Sequence, residues 1–258
     1  MEQVREIKQV AENAAREAGA YVAEHLNKLK DISYKGGINN LVTDVDLASE
    51  KIIKDMIKSR FPSHSILAEE GGEEPGGGSY KWIIDPLDGT TNFAHGFPVF
   101  CVSIGVMLDN EVITGIVYDP TRQELFSAEK GKGAFLNGER ISVSGRRLVE
   151  RSLISTGFAY DVEEKFDNLK SFQTMLKSAQ AVRRAGSAAI DLCYVACGRF
   201  DGFWELGLNP WDTAAGQLMA AESGGRVSTI SGQAYDIFKK DILATNGYIH
   251  SEMISLLS

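Results

Sequence analysis

The residues with the clearest capacity for chemistry lie in the run Trp82-Ile83-Ile84-Asp85-Pro86-Leu87-Asp88-Gly89-Thr90-Thr91-Asn92-Phe93. An apolar stretch leads into two acids separated by two residues, followed by a turn with hydroxyls and bare backbone donors. Asp85 stands where a buried strand is expected to end, because Pro86 has no N–H with which to continue a ladder. Asp88-Gly89 predicts a sharp bend, since glycine accepts the positive φ of a close turn. Two carboxylates converging beside free N–H groups suit a hard divalent cation next to an anionic oxygen ligand such as a phosphate. The competing reading is an ordinary strand-exit loop, because Asp-Gly turns are common.

Two further acidic clusters bear on that choice. Ser65-Ile66-Leu67-Ala68-Glu69-Glu70 is another short apolar run ending in carboxylates, and Asn209-Pro210-Trp211-Asp212-Thr213-Ala214-Ala215-Gly216 places an acid in the opening turn of an expected helix. Pro210 and Asp212 both favour a helix start, so Asp212 has an alternative use in complementing the helix dipole.

These groups need elements to position them. Val4, Ile7, Val10, Ala14, Ala18, Tyr21, Val22 and Leu26 recur at helical spacing, which predicts a long amphipathic first helix. Lys35-Gly36-Gly37 to Asn39-Asn40 reads as a loop; Leu41-Val42-Thr43 then leads to Asp44 and Asp46 and a second helix carrying Ile52, Ile53, Met56 and Ile57, stopped by Pro62. Gly71 to Gly78 reads as a solvated loop with Glu73 and Glu74 at the surface. From Val99 to Val143 short apolar strands alternate with turns, Asn137-Gly138 being a strong hairpin signal, and predict an antiparallel meander. Strands and helices then alternate: a strand at Leu153 to Thr156, a helix with Phe166, Leu169, Phe172 and Leu176, and a helix after Gly186. Next come a strand at Phe203 to Leu206, the Trp211 helix ending near Gly224-Gly225, a strand at Asp241 to Thr245 and a last helix through Ile254 and Leu257. The order implies layered α/β packing.

Composition narrows the class. The chain of 258 residues is 43% hydrophobic and 24% charged, ordinary for a soluble globular protein, and is long enough for a substantial core. The net charge is −8 with no basic cluster beyond pairs such as Arg146-Arg147 and Arg183-Arg184, which argues against a nucleic-acid-binding face. Cys193 and Cys197 fall four apart on an expected apolar helix and, with Cys101, fit core packing in a reducing, cytoplasmic setting. No signal peptide and no membrane span is read.

Ala68-Glu69-Glu70-Gly71, Asp85-Pro86-Leu87-Asp88-Gly89-Thr90, and Trp211-Asp212-Thr213-Ala214-Ala215-Gly216 running to Gly224-Gly225 occur in the order and spacing of one family. In these blocks the chain resembles the inositol monophosphatases, from first helix to last strand. The resemblance implies an α-β-α-β-α sandwich like that of the inositol monophosphatases and fructose-1,6-bisphosphatases. The first half would hold an antiparallel sheet and the second a mixed one, in a single catalytic unit over 1–258 with sub-lobes near 1–145 and 146–258. It implies as many as three magnesium ions. Glu69, Asp85 and the Leu87 carbonyl would hold the first, Asp85, Asp88 and Asp212 the second, and Glu69 a weaker third approached by Lys35. Asp46 and Thr90 match an activating pair for the attacking water; Asp46 read by itself is also a helix N-cap candidate. Substrate contacts would come from Glu69, Asp88, Gly89, Thr90, Gly186, Ser187, Ala188, Glu205 and Asp212, although a strand-end Glu205 has a solvent-exposed alternative. Trp211, Trp82, Phe93 and His95 read as packing around the motifs. Gly157-Phe158 stands where animal members carry a small polar residue, so the alcohol half of the substrate is less constrained than the phosphate chemistry.

The implied reaction is hydrolysis of a small polyol phosphate, with myo-inositol 1-phosphate leading and fructose 1,6-bisphosphate, NADP(H) or 3′-phosphoadenosine 5′-phosphate as alternatives. Lithium sensitivity and a homodimer are further family expectations. A binding role in transcription or RNA processing is the alternative of a different class.

Overall fold

The computed structural model describes residues 2–26, 28, 32–34, 41–158 and 168–257. Lys35 with the loop at 35–40, Phe166, and the stretch 159–167 lie outside the described residues. Helix α1 (Glu2–His25) buries Ile7, Ala11, Ala14, Ala18 and Val22 along the expected stripe. Strands β1 (Ile32–Tyr34) and β2 (Leu41–Thr43) form a separate antiparallel ribbon leading into α2 (Asp44–Arg60). Then come β3 (Ser65–Ala68), β4 (Gly72–Glu74), β5 (Tyr80–Asp88), the short helix α3 (Thr90–Ala94), and five strands: β6 (Cys101–Leu108), β7 (Glu111–Asp119), β8 (Glu124–Glu129), β9 (Gly133–Leu136) and β10 (Glu139–Arg140).

Strands β3 to β10 make one eight-stranded sheet in the order β10-β9-β8-β7-β6-β5-β3-β4. The meander is antiparallel as expected, and the β9–β10 hairpin turns through Asn137 and Gly138 with φ of 49° and 85°. Two features differ from expectation. Residues Gly72–Glu74 form an edge strand on β3 rather than a loop, and β3 pairs with β5 in parallel, so this sheet is mixed. The chain crosses from β3 through β4 before entering β5, which turns it back into the direction of β3.

The second half supplies β11 (Leu153–Thr156), α4 (Leu169–Ser178), β12 (Ala181–Arg183), α5 (Ala188–Ala196), β13 (Gly202–Leu206), α6 (Pro210–Glu222), β14 (Arg226–Ser228), β15 (Asp241–Thr245) and α7 (His250–Leu257). Its strands form a mixed five-stranded sheet, β12-β11-β13-β15-β14, of which the three-residue strands β12 and β14 carry too little alternation to be read from sequence.

Burial defines five layers. Alternation along β5 sends Trp82 and Ile84 to a core with Ile7, Ala14, Ile53 and Ile57 of α1 and α2. Ile83 goes the other way, to Ala189, Ile190, Ala214 and Ala215 of α5 and α6. The far face of α5 and α6 buries Leu192 and Ala220 against Phe203, Ile242 and Ala244 of the second sheet. The outer face of that sheet packs Ile154, Trp204 and Leu243 against Met175 of α4 and Met253 of α7. The arrangement is α-β-α-β-α. Leu169 and Leu176 of α4, read as part of an apolar face, are exposed. Cys101, Cys193 and Cys197 are free thiols, the first two buried. No described helix is long and apolar enough to cross a membrane.

Candidate active site

The parallel β3–β5 pairing brings two carboxyl-bearing strand ends to the same edge. Ala68 lies opposite Ile84, so Glu69 follows beside Asp85, and the Glu69 N–H donates to the Ile84 carbonyl at 3.1 Å. Strand β5 does not end at Asp85 as Pro86 suggested. It continues to Asp88 across a bulge, with Asp85 opposite Ser103 and Asp88 opposite Cys101. A bulge leaves a residue outside the ladder, so the missing N–H of Pro86 costs nothing there. The displaced Leu87 N–H donates instead to Asp85 Oδ1 at 3.0 Å. Gly89 then takes a φ of 98°, and a Cβ on it would lie 2.8 Å from the Val99 carbonyl oxygen, so only glycine fits this corner.

Asp88 is held by the start of α5. Its Oδ2 accepts from Ser187 Oγ at 2.6 Å and from the Ala189 N–H at 2.8 Å. Asp212 is held by its own helix: Asn209 and Asp212 form a capping box, and the Asn209 N–H donates to Asp212 Oδ2 at 2.6 Å. Helix α6 reaches the first sheet because the sheet has a bare floor there. Gly105 and Gly115 are cross-strand partners, and a Cβ on either would sit 2.7 Å from Ala214 Cβ or 2.8 Å from the Ala215 carbonyl oxygen. The helix-start reading of Asp212 and its convergence on the β5 acids are both satisfied.

These carboxyls repel one another. Burial, then the charges of Glu69, Asp88 and Asp212, push Asp85 well above the usual carboxylate range. Burial also raises Asp88, against the hydrogen bonds it accepts. Asp212 is pushed up to about 7 by burial, relieved by the Asn209 N–H, with Asp88 raising it further and Lys240 opposing. Among the described residues no three His, Cys, Asp or Glu side chains stand preassembled as an ion cage. The donor set nevertheless fits a hard divalent cation. Asp85, Asp88 and Asp212 each commit one oxygen to a fixed N–H or O–H and keep the other, and their mutual repulsion is what a cation would relieve.

Asp46 occupies the third position of α2, not its N-cap. Thr43 is the cap and donates its N–H to Asp46 Oδ2 at 2.9 Å, while Asp46 Oδ1 accepts from Thr90 Oγ1 at 3.1 Å. Thr90 Oγ1 also lies 3.0 Å from the Leu87 carbonyl, so its single proton has two acceptors. One turn along α2, Ser49 Oγ donates to the Pro86 carbonyl at 2.7 Å and docks the helix on the bulge. Asp46 is fully buried, and burial raises its carboxyl against the hydrogen bonds from Thr43 and Thr90.

From the second half, Gly186 has a φ of 88° and lies against Asn92, whose Nδ2 donates to the carbonyls of Val99 and Ala185 at 2.8 and 2.9 Å. Ser187 caps α5, and Ala188 opens it. The Ser187 hydroxyl is directed to Asp88. Glu205, on β13, is 8% exposed rather than solvated, and burial pushes its carboxyl well above the usual range, with Asp212 and Asp88 adding to this. Trp82 and Phe93 are buried and Trp211 half-buried, whereas His95 is exposed at the end of α3 instead of packing. Lys35 lies outside the described residues. Asn92, Ser49 and Asp191 were not singled out from the sequence. Only Asp191 left a readable signal, a lone acid in the apolar run Ala188-Ala189-Ile190-Asp191-Leu192-Cys193.

A layered α-β-α-β-α fold with carboxylates gathered where β3 and β5 end is that of the inositol monophosphatase class of phosphatases. Residues 3–258 match the model of the inositol monophosphatase family, and the chain belongs to that family. An inositol-1-monophosphatase of Synechocystis is 47% identical over 97% of this chain and 88% of its own length. A protein of Pseudomonas aeruginosa called Nus factor SuhB is 44% identical over 92% of this chain and 90% of its own. The solved inositol monophosphatase of Anabaena superposes with a TM-score of 0.90 at 42% identity, covering 99% of this chain and 96% of that one.

Proposed function

We propose that this phosphatase hydrolyses the phosphate monoester of a small polyol, with myo-inositol 1-phosphate as the leading substrate and magnesium as the metal. The observation that carries the reading is the convergence of Asp85, Asp88 and Asp212 beside Glu69, with one oxygen of each aspartate fixed by a donor and the acids repelling one another. Glu69, Asp85 and the Leu87 carbonyl would hold one ion, Asp85, Asp88 and Asp212 a second, and Glu69 a third. Bound there, magnesium would neutralise the phosphoryl and leaving-group oxygens and acidify the attacking water.

The chain's own groups supply the rest. Thr90 gives its hydroxyl proton to Asp46, which leaves the Thr90 oxygen as acceptor for a water proton and aims that water at phosphorus. Backbone N–H groups of Gly89 and Thr90 face the phosphate oxygens. The Gly186-Ser187-Ala188 turn and Glu205 border the alcohol half, Glu205 accepting from its hydroxyls. No phosphoenzyme forms in this reading, since the Ser187 and Thr90 hydroxyls are committed to Asp88 and Asp46 rather than set as nucleophiles.

The test is phosphate release with magnesium from inositol 1-phosphate, fructose 1,6-bisphosphate, NADP and 3′-phosphoadenosine 5′-phosphate. The reading expects inositol 1-phosphate to give the highest kcat/KM. Preference for another of the four overturns the substrate and keeps the metal site. A homodimer is part of the same reading and is checked by sedimentation. The name Nus factor SuhB, carried by relatives 41–44% identical, keeps a transcription-related binding role as a second reading, with exposed Arg183 and Arg184 as its surface. A partner that an Asp85→Asn variant still binds would support it.

A further inference from the structure

Strands β11 and β13 run parallel, and their pairing ends with Thr156 opposite Trp204. The next residues along are Gly157 and Glu205. Side chains alternate along a strand, so Thr156 and Trp204 share the outer face with Ile154, while Gly157 and Glu205 lie on the inner one. A Cβ on residue 157 would lie 2.2 Å from either carboxylate oxygen of Glu205, so the Glu205 head group occupies the space that glycine leaves. Gly157 has no positive φ, so it is this space that calls for glycine and not a left-handed backbone.

Where the ladder stops, a buried side chain takes over. Asn168, the residue before α4, donates through Nδ2 to the Gly157 carbonyl and to Thr156 Oγ1, each at 2.8 Å. Its Oδ1 accepts from Trp204 Nε1 at 2.7 Å, and Thr156 Oγ1 donates to the Trp204 carbonyl at 2.7 Å. The residue before Gly157 and the residue before Glu205 are thus tied to each other and to one amide. Only one orientation of that amide works, because an indole N–H can only donate and a carbonyl can only accept. Thr156, Asn168 and Trp204 are each no more than 1% exposed, so water does not compete for these bonds. Asn168 also stands at the N-cap of α4, where an asparagine side chain ordinarily accepts from the first N–H groups of its helix, yet it makes no such bond. The amide is spent on β11 and β13 instead.

We propose that Asn168 is a positioning residue for substrate selection: by clamping Gly157 to Trp204 it fixes how far the Glu205 carboxylate reaches toward the substrate's alcohol hydroxyls. Asn168 holds the outer face of the sheet and acts on the inner face through Glu205. The inference rests on the reading of Glu205 as a polyol contact.

The test is a double-mutant cycle on KM at saturating magnesium, with myo-inositol 1-phosphate and with p-nitrophenyl phosphate, which has no alcohol hydroxyl. Glu205→Ala is measured first. If it leaves the inositol 1-phosphate KM unchanged, the reading of Glu205 fails and takes the inference with it. Given a rise there, Asn168→Leu, of similar size, is expected to raise that KM ~3–10-fold, the scale of one lost hydrogen bond. Its kcat and its KM for p-nitrophenyl phosphate should stay at the parent's values. In the Glu205→Ala background Asn168→Leu should add no more than about twofold, since the group it positions is gone. A purely structural role gives the same rise in both backgrounds. That result, an unchanged KM in Asn168→Leu alone, or an equal rise for the two substrates overturns the inference while the Glu205 reading stands. If Asn168→Leu does not fold, Thr156→Val takes its place in the cycle: a rise confined to inositol 1-phosphate and lost in Glu205→Ala supports the assignment, and any other pattern overturns it.

Discussion

The acids at the open end of the first sheet and those behind β13 are both enclosed by other acids, yet they are held in opposite ways. Asp85, Asp88 and Asp212 each rest one oxygen on a neighbouring N–H or O–H, two of them on groups from their own turn. Asp191 and Ser155 have buried polar atoms that no donor or acceptor meets among the described residues. The first region is fixed by backbone N–H groups and the Ser187 hydroxyl, which leave one oxygen of each aspartate uncommitted. The second is set by packing, with the Glu205 head group lodged in the space that Gly157 leaves. In the proposed reading phosphate chemistry and alcohol recognition would rest on different kinds of support, so that each could be disturbed without the other.

The largest effect is expected from Asp85→Asn, which removes the acid most exposed to its neighbours' charge. Phosphate release should fall by about three orders of magnitude, the scale of losing a preorganised electrostatic partner, and calorimetry should show weakened magnesium binding. The metal-free variant should melt no lower than the parent, because a repulsion has been removed. Near-parental turnover would refute the metal assignment. Thr90→Val comes next: kcat should drop ~10²–10⁴-fold with magnesium affinity unchanged, and loss of both together would mean the hydroxyl serves only the fold.

Smaller still is Gly157→Ala, aimed at the other region. The new methyl group displaces the Glu205 carboxylate, a flexible side-chain end, so KM for the polyol ester should rise ~3–10-fold with little change in Tm. Equal loss on p-nitrophenyl phosphate would break the separation of the two regions. The slightest signal is thermal. Asp212 is raised to about 7 in the fold, so the folded state binds its proton more tightly than the unfolded chain does. In chelator the stability this gives is full below the unfolded carboxyl pKa of ~3.9 and is lost as pH rises to about 7. Tm should fall over that window, and magnesium should flatten the fall. A Tm that rises with pH in chelator would contradict the crowding of these acids.

What could be read from the chain follows the same division. The Asp85 to Thr90 run, the Asp212 helix start and the meander all announce themselves through local chemistry: paired acids, Gly with a positive φ, Asn-Gly turns. The passage of β5 through Pro86 was not legible, because a bulge that tolerates proline has no local signature. Nor was the parallel β3–β5 pairing that sets Glu69 beside Asp85, which depends on the chain reversing through β4. Gly105 and Gly115 matter only because α6 lands on them, and Asn168 only because two distant strands close beside it. His95 was misjudged since nothing in its neighbours in sequence shows that α3 ends at the surface.

The double use of Asp46 has a consequence for comparing descendants of one ancestor. Its carboxylate closes the capping box of α2 and also accepts from Thr90, so one oxygen serves folding and, in the proposed function, the other would serve turnover. A lineage that abandoned hydrolysis would still retain this aspartate for the sake of the helix. Its presence in a relative is therefore no record of whether that relative is still an enzyme, and Thr90 is the better witness.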